Sequence, residues 1–260
     1  MDHATASAYL RRIGLPTEIG RPDAALLREL HVRHLRTVPF ENLSIHLDEP
    51  ITLDEDALVD KIVRRRRGGF CYELNGAFAA LLEAVGFPVI RHAARVFGDG
   101  GLGVPFDHLA LTVDASGERW VADVGFGRHA CHPLRLDWPD AQDDPDGEYL
   151  VVDAPEGDID VLCDGRPQYR MEQRSRTLDE FRIGAWWNST SPASHFTEKL
   201  VCSRNTEDGR VTLTGDTLIT TVGAARTETT LDGEQRILDT YRTVFGFTLD
   251  RLPRSPYRAR

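Results

Sequence analysis

The sequence predicts an α+β fold, and three observations lead there. In the first third of the 260 residues, apolar side chains recur at helical spacing. The middle third changes to the two-residue alternation of strands. The last third mixes short strands with one amphipathic helix. The order is helices, then sheet, then a mixed tail.

A first helix covers residues 3–13, with Ala6, Tyr9, Leu10 and Ile13 on one side, and Gly14-Leu15-Pro16 stops it. A second follows Pro22 to about Arg36, with Leu26, Leu27, Leu30 and His34 on one face. Val38 to Leu43 reads as an irregular connection, because Pro39 biases Val38 away from helix. Thr52-Leu53-Asp54-Glu55 has capping-box spacing and opens a third helix through Leu58, Ile62 and Val63. After Gly68-Gly69 a fourth helix runs from about Glu73 to Gly86, with Pro88 beyond it.

Strands are expected at 89–97, 108–113, 119–124, 148–152, 158–163 and 167–174. A glycine-rich loop, Gly98 to Pro105, separates the first two, and the acidic stretch Asp137 to Gly147 is a second loop. Thr177-Leu178-Asp179-Glu180 is another capping box, opening a helix towards Trp186 that Ser189 to Pro192 ends. Strands at 196–203, 210–214, 217–221 and 225–230 precede a helix from about Gly233 to Phe245, which Gly246 stops.

Apolar content of 41% and charged content of 28% are those of a globular protein able to bury a core. A net charge of −10 argues against nucleic acid or acidic lipid as a general partner. No apolar run reaches membrane-helix length, and MDHATAS lacks an export signal, so a cytoplasmic protein is expected. Cys71, Cys131, Cys163 and Cys202 are irregularly spaced, as reduced thiols are.

The chemistry centres on Arg67-Gly68-Gly69-Phe70-Cys71-Tyr72-Glu73-Leu74-Asn75. This order sets a thiol at a helix N-terminus, where free N–H groups favour an anion. A cysteine so placed beside basic residues is expected to ionise more easily than a free thiol and to act as a nucleophile. In the run Arg64 to Arg67, Arg67 is the one expected to be tied down structurally, the others forming a solvated helix end.

Alternation puts Leu109, Leu111 and Val113 on one face of their strand and His108 on the other; Trp120, Ala122 and Val124 likewise oppose Asp123. With an even hairpin connection, pairing Val113 with Glu118 sets His108 directly across from Asp123, about 4.5–5.5 Å apart at Cβ. An odd connection spoils the couple. Cysteine, histidine and aspartate together make the generalised triad of nucleophile, base and orienting group.

The Arg67–Asn75 run, His108-Leu109-x-Leu111-x-Val113 and Val121-Ala122-Asp123-Val124-Gly125-Phe126-Gly127 resemble the arylamine N-acetyltransferase family. Val38-Pro39-Phe40-Glu41-Asn42-Leu43 and Ser191-Pro192-x-Ser194-x-Phe196 match further motifs of that family. The resemblance implies a helical domain over 1–88, a β-barrel-like domain over 89–195 and an α/β lid over 196–260, around a cysteine-peptidase-like core. It implies Cys71, His108 and Asp123 as catalytic residues. Phe40 and Phe126 would line an acceptor pocket, with Phe196 near the cofactor entrance. Gly101, Gly103, Gly125 and Gly127 would lie on the path of acetyl-CoA. The implied reaction is ping-pong transfer of acetyl from acetyl-CoA through the cysteine to an arylamine or hydrazine. An amide synthase of the same superfamily, using a longer acyl chain from a carrier protein, shares every catalytic residue. A cysteine hydrolase is a rival from a different class, and the complete triad argues against a catalytically silent, ligand-binding relative, since a binder has no need of an activated thiol. Monomer and homodimer stay equally open.

His129-Ala130-Cys131-His132 lacks a second cluster at ligand spacing, so no metal is expected. Phe40, Phe126 and Phe196 read as core or pocket alike on sequence alone, and Trp186-Trp187 reads as helix packing.

Overall fold

Helices begin where a side-chain oxygen can take the first free N–H groups. In the computed structural model, which describes residues 1–254, Asp2 caps the His3–Arg12 helix and Asp23 caps Ala24–Thr37. The third helix starts later than expected, because Asp54 rather than Thr52 accepts the N–H of Ala57. It runs Glu55–Val59 and loosens into a π-helical turn over Asp60–Arg64. The Cys71–Ala84 helix begins two residues before the expected Glu73, so Cys71 is its first residue.

Among the described residues the strands form two antiparallel sheets. The larger runs in the order Leu134–Arg135, Glu118–Val121, His108–Ala115, Val89–Gly98, Arg166–Arg176, Ile159–Cys163, Gly147–Asp153, Gln142–Asp144. Gly101–Leu102 pairs beside Val89–Gly98, so the glycine-rich loop is a hairpin. The two edge strands are joined by Gln142, which accepts from Arg135 N at 2.7 Å and donates to Arg135 O at 3.0 Å. That link brings the sheet close to a closed barrel.

The smaller sheet runs Phe40–Glu41, Cys202–Asn205, Gly209–Thr214, Thr217–Val222, Ala225–Thr230. Its first strand lies in the Val38–Leu43 segment, expected to be irregular, and it pairs Phe40 with Ser203 and Glu41 with Cys202. The expected strand at 196–203 is in its first part a helical turn, His195–Glu198. Ser194 caps that turn, and the Asn42 amide holds the Phe196 and Lys199 carbonyls, so the chain becomes extended only at Cys202. The last helix, Glu234–Thr240, passes into a π-helical turn over Tyr241–Phe245 and ends at left-handed Gly246. Trp186 does not pack: on the Arg182–Thr190 helix it is 65% exposed.

One apolar cluster joins the N-terminal helices to Leu109, Leu111, Val113, Ala122 and Val124. A second, inside the larger sheet, holds Ala94, Ala110, Val121, Tyr149 and Tyr169. The strand His108–Ala115 therefore has both faces buried, which explains its nearly continuous burial.

Arg67 ties these layers together below the cysteine helix. Its guanidinium donates to Glu41 at 2.9 Å and Glu49 at 3.1 Å, with Glu41 fully buried. Gly68 permits this approach, since a Cβ there would stand 1.8 Å from the Pro39 carbonyl oxygen. Arg67→Met leaves the Glu41 charge buried and unpaired, and is expected to cost about 3–5 kcal/mol in urea unfolding. The double variant with Glu41→Met should recover most of that loss; a single-variant loss under about 1 kcal/mol would contradict the pairing.

Candidate active site

The cysteine is positioned by its helix. Phe70 precedes it in extended conformation and has no side-chain acceptor, so Glu73 supplies half of a capping box by accepting from Phe70 N at 3.3 Å. Lys61 lies 2.6 Å from Glu73, and burial raises the Glu73 pKa against that pull. The first helical hydrogen bonds come from Glu73 and Leu74 to Phe70 O, which leaves the N–H groups of Cys71 and Tyr72 ahead of the ladder. Cys71 is buried, with Sγ 3.9 Å from Asp107 O.

The hairpin turns at Ser116-Gly117, both with left-handed φ, as a two-residue type I′ turn requires. Val113 therefore pairs with Trp120 rather than with Glu118, a shift of two residues that preserves which side chains share a face. The strand ends at Val121, short of the expected Val124. Beyond it, side chains replace the ladder: Val124 N donates to Asn75 Oδ1 and Gly125 N to Asp123 Oδ1, each at 2.9 Å. The chain bends there, and Asp123 Oδ2 receives His108 Nε2 at 2.6 Å.

With Nε2 on Asp123, Nδ1 is the imidazole nitrogen left for Cys71. Burial opposes a charge on His108, yet the Asp123 carboxylate outweighs it and, with Cys71, lifts the imidazole to about 10. Burial also opposes the Asp123 charge; His108 and the Asn75 amide override it and hold the carboxyl well below its ordinary range.

Asn75 holds a role that the sequence pattern alone does not assign. Its amide donates to Asp123 Oδ1 at 2.8 Å and to Leu109 O at 2.6 Å, so one side chain locks helix, strand and loop together. A signal for it is present in the sequence, since Asn75 follows Cys71 by one helical turn and shares its face. Tyr72 and Asn188 form a second brace. Tyr72 donates to Phe106 O at 2.7 Å, and the Asn188 amide donates to Tyr72 Oη at 2.8 Å and Asp107 O at 3.3 Å.

Cys71 and His108 stand in a cavity of about 570 Å³. Phe40, Phe126 and Phe196 line it, and so does Trp187, expected from sequence to be a packing residue. Phe126 meets His108 edge-on, with ring centroids 5.2 Å apart. Of the four glycines, Gly101, Gly103 and Gly125 line the cavity, while Gly127 lies against the Phe40 ring. A Cβ on Gly125 would stand 2.8 Å from both Cys71 Cα and the Asn75 amide, so close packing alone requires glycine there. Among the described residues no group of three His, Cys, Asp or Glu side chains is placed to hold a metal ion, and no helix is long and apolar enough to cross a membrane.

A family model described as N-acetyltransferase matches residues 23–253. A Salmonella typhimurium protein, arylamine N-acetyltransferase / N-hydroxyarylamine O-acetyltransferase, is 37% identical over 220 residues, 80% of this chain and 75% of that protein. The solved arylamine N-acetyltransferase of M. smegmatis superposes with a TM-score of 0.86 at 34% identity, covering 96% of this chain and 93% of that one. That of Mycobacterium marinum in complex with CoA superposes at 0.83 and 30% identity, covering 93% and 92%.

Two outcomes are expected from this geometry. Asn75→Ala removes one support of Asp123 and should slow modification of Cys71 by about 10²-fold without unfolding the protein, measured by rapid alkylation beside circular dichroism. The raised pKa of His108 contributes stability that is whole below about pH 6.5 and is lost as pH rises to about 10. Urea unfolding between about pH 6 and 10.5 should therefore show a downward slope that His108→Gln lacks; equal slopes would contradict the His108–Asp123 assignment.

Proposed function

Because the chain belongs to the arylamine N-acetyltransferase family, we propose that it transfers acetyl from acetyl-CoA, through Cys71, to an arylamine or hydrazine nitrogen. The observation that carries this is a buried Cys71–His108–Asp123 group opening on an aromatic-lined cavity. His108 already holds the Cys71 proton as an imidazolium, and the sulfur attacks the thioester carbonyl. The N–H groups ahead of the helical ladder are placed to stabilise the oxyanion. CoA departs as its thiol with the proton from His108, leaving an acetyl thioester on Cys71. The amine then attacks that thioester and gives its proton to His108, and the Cys71 sulfur leaves as the thiolate beside the re-formed imidazolium. Sulfur suits this exchange because thioester-to-thioester transfer is nearly balanced in energy, and an aromatic amine is already neutral at about pH 7.

Phe40 and Phe126 form the acceptor walls in this reading, and Phe196 stands at the cofactor entrance. The segment at 98–107 and the loop at 125–128 border the CoA path, through Gly101, Gly103, Gly125 and Gly127; the CoA complex of the M. marinum relative supports that cofactor. The division into 1–88, 89–195 and 196–260 belongs to the same proposal, its last part extending beyond the described residues. Family membership favours this reaction over an amide-synthase or cysteine-hydrolase activity.

The test is intact mass after mixing with acetyl-CoA in the absence of amine. Wild type should gain one acetyl group and lose it on addition of an aromatic amine, and Cys71→Ala should gain none. A wild-type thiol that alkylates readily with iodoacetamide but takes no acetyl group would overturn acetyl-CoA as donor.

A further inference from the structure

His31 lies on the Ala24–Thr37 helix, away from the cavity, and is 1% exposed. Its ring meets Phe78 edge-on at 6.2 Å. Both nitrogens face backbone carbonyl oxygens: Nε2 is 3.2 Å from Asp123 O, and Nδ1 is 3.1 Å from Cys131 O. Those carbonyls stand at the two ends of the loop at 123–131, whose middle carries Phe126.

That loop has little regular ladder of its own. Gly125 N is held by Asp123, Cys131 N by Asp144, and the Gly127 carbonyl by Arg210. The His31 imidazole touches both ends. Burial, working against the pull of Cys131 O and Asp123, lowers His31 to about 4, so the ring is neutral near pH 7 and has one N–H for two carbonyls.

We propose that His31 is a positioning residue for the acceptor pocket: its one N–H, donated to the carbonyl at one end of the loop at 123–131 while the ring packs against the other end, fastens that loop to the Ala24–Thr37 helix and so sets where Phe126 stands relative to Cys71. The Asp123 carboxylate has three donors of its own in Asn75, Gly125 N and His108. Losing the tether therefore loosens the Phe126 wall before it disturbs the Cys71–His108–Asp123 group. The inference rests on the acetyl-transfer reading only for its acceptor readout.

The experiment compares His31→Leu and His31→Gln in the full chain. Leucine fills the space without a donor, and glutamine restores an N–H. His31→Leu should raise the acceptor KM about tenfold, while kcat and the pH profile of Cys71 alkylation by iodoacetamide stay near wild type. His31→Gln should return the KM to within about threefold of wild type. An unchanged acceptor KM in the leucine variant, an equal loss in the glutamine variant, or a fall in kcat and alkylation together with the KM would each overturn the proposal. Should the leucine variant not fold, imidazole ¹⁵N spectra of wild type decide: a His31 ring N–H protected from exchange is expected, and rapid exchange at both nitrogens overturns the tether. Wild type that transfers no acetyl group would count against the acetyltransferase reading, while the exchange measurement would still test the tether.

Discussion

A carboxylate with almost no access to water is the constraint around which this molecule is arranged. Asp123 is 1% exposed, and an ion so placed is tolerable only if each of its oxygens is met by donors of good geometry. The donors come from three places: Asn75 on the cysteine helix, His108 on the neighbouring strand, and the Gly125 N–H of its own loop. Helix, strand and loop must therefore meet within hydrogen-bond distance of one point. Cys71 shares the helix with Asn75, so the same docking that stabilises the aspartate brings the sulfur to the imidazole. Stability and chemistry use one geometry here.

A second buried ionic group serves the far side of the cysteine helix. Arg67, Glu41 and Glu49 form one part and Lys61, Glu73 and Ser44 the other, with Ser44 close to both cations. Such a network adds little net stability over a well-packed apolar one, but it penalises any arrangement that leaves a charge unpaired. Its members fix where the helix begins, through Glu73, and where the smaller sheet begins, through Glu41.

The cavity walls come from distant parts of the chain. Phe40 lies on the first short strand, Phe126 on the loop after Asp123, and Phe196 on the turn before the smaller sheet. Phe196 packs against both Phe40 and Phe70, so the wall on that side is built from contacts between aromatic rings. His108 and Phe126 together border on Tyr169, which extends the aromatic shell into the larger sheet.

Most of the elements, the helix start that carries Cys71, and the side-chain alternation that groups His108 with Asp123 are legible in the chain as a string of residues. These are local properties: caps and turns act over a few residues, and alternation survives a register shift of two. Arg67 is legible for the same reason, as a charge beside two glycines and a buried helix start. The register set by the Ser116-Gly117 turn, the end of the strand at Val121 and the helical turn at His195–Glu198 emerge only in the folded molecule. Each depends on a partner far along the chain, such as Asn75 for Val124 or Asn42 for Phe196, which no local pattern encodes. The roles of Asn75, Asn188 and His31 are hidden likewise, because a polar side chain declares its function only once its acceptor, brought from elsewhere in the fold, stands within hydrogen-bond distance.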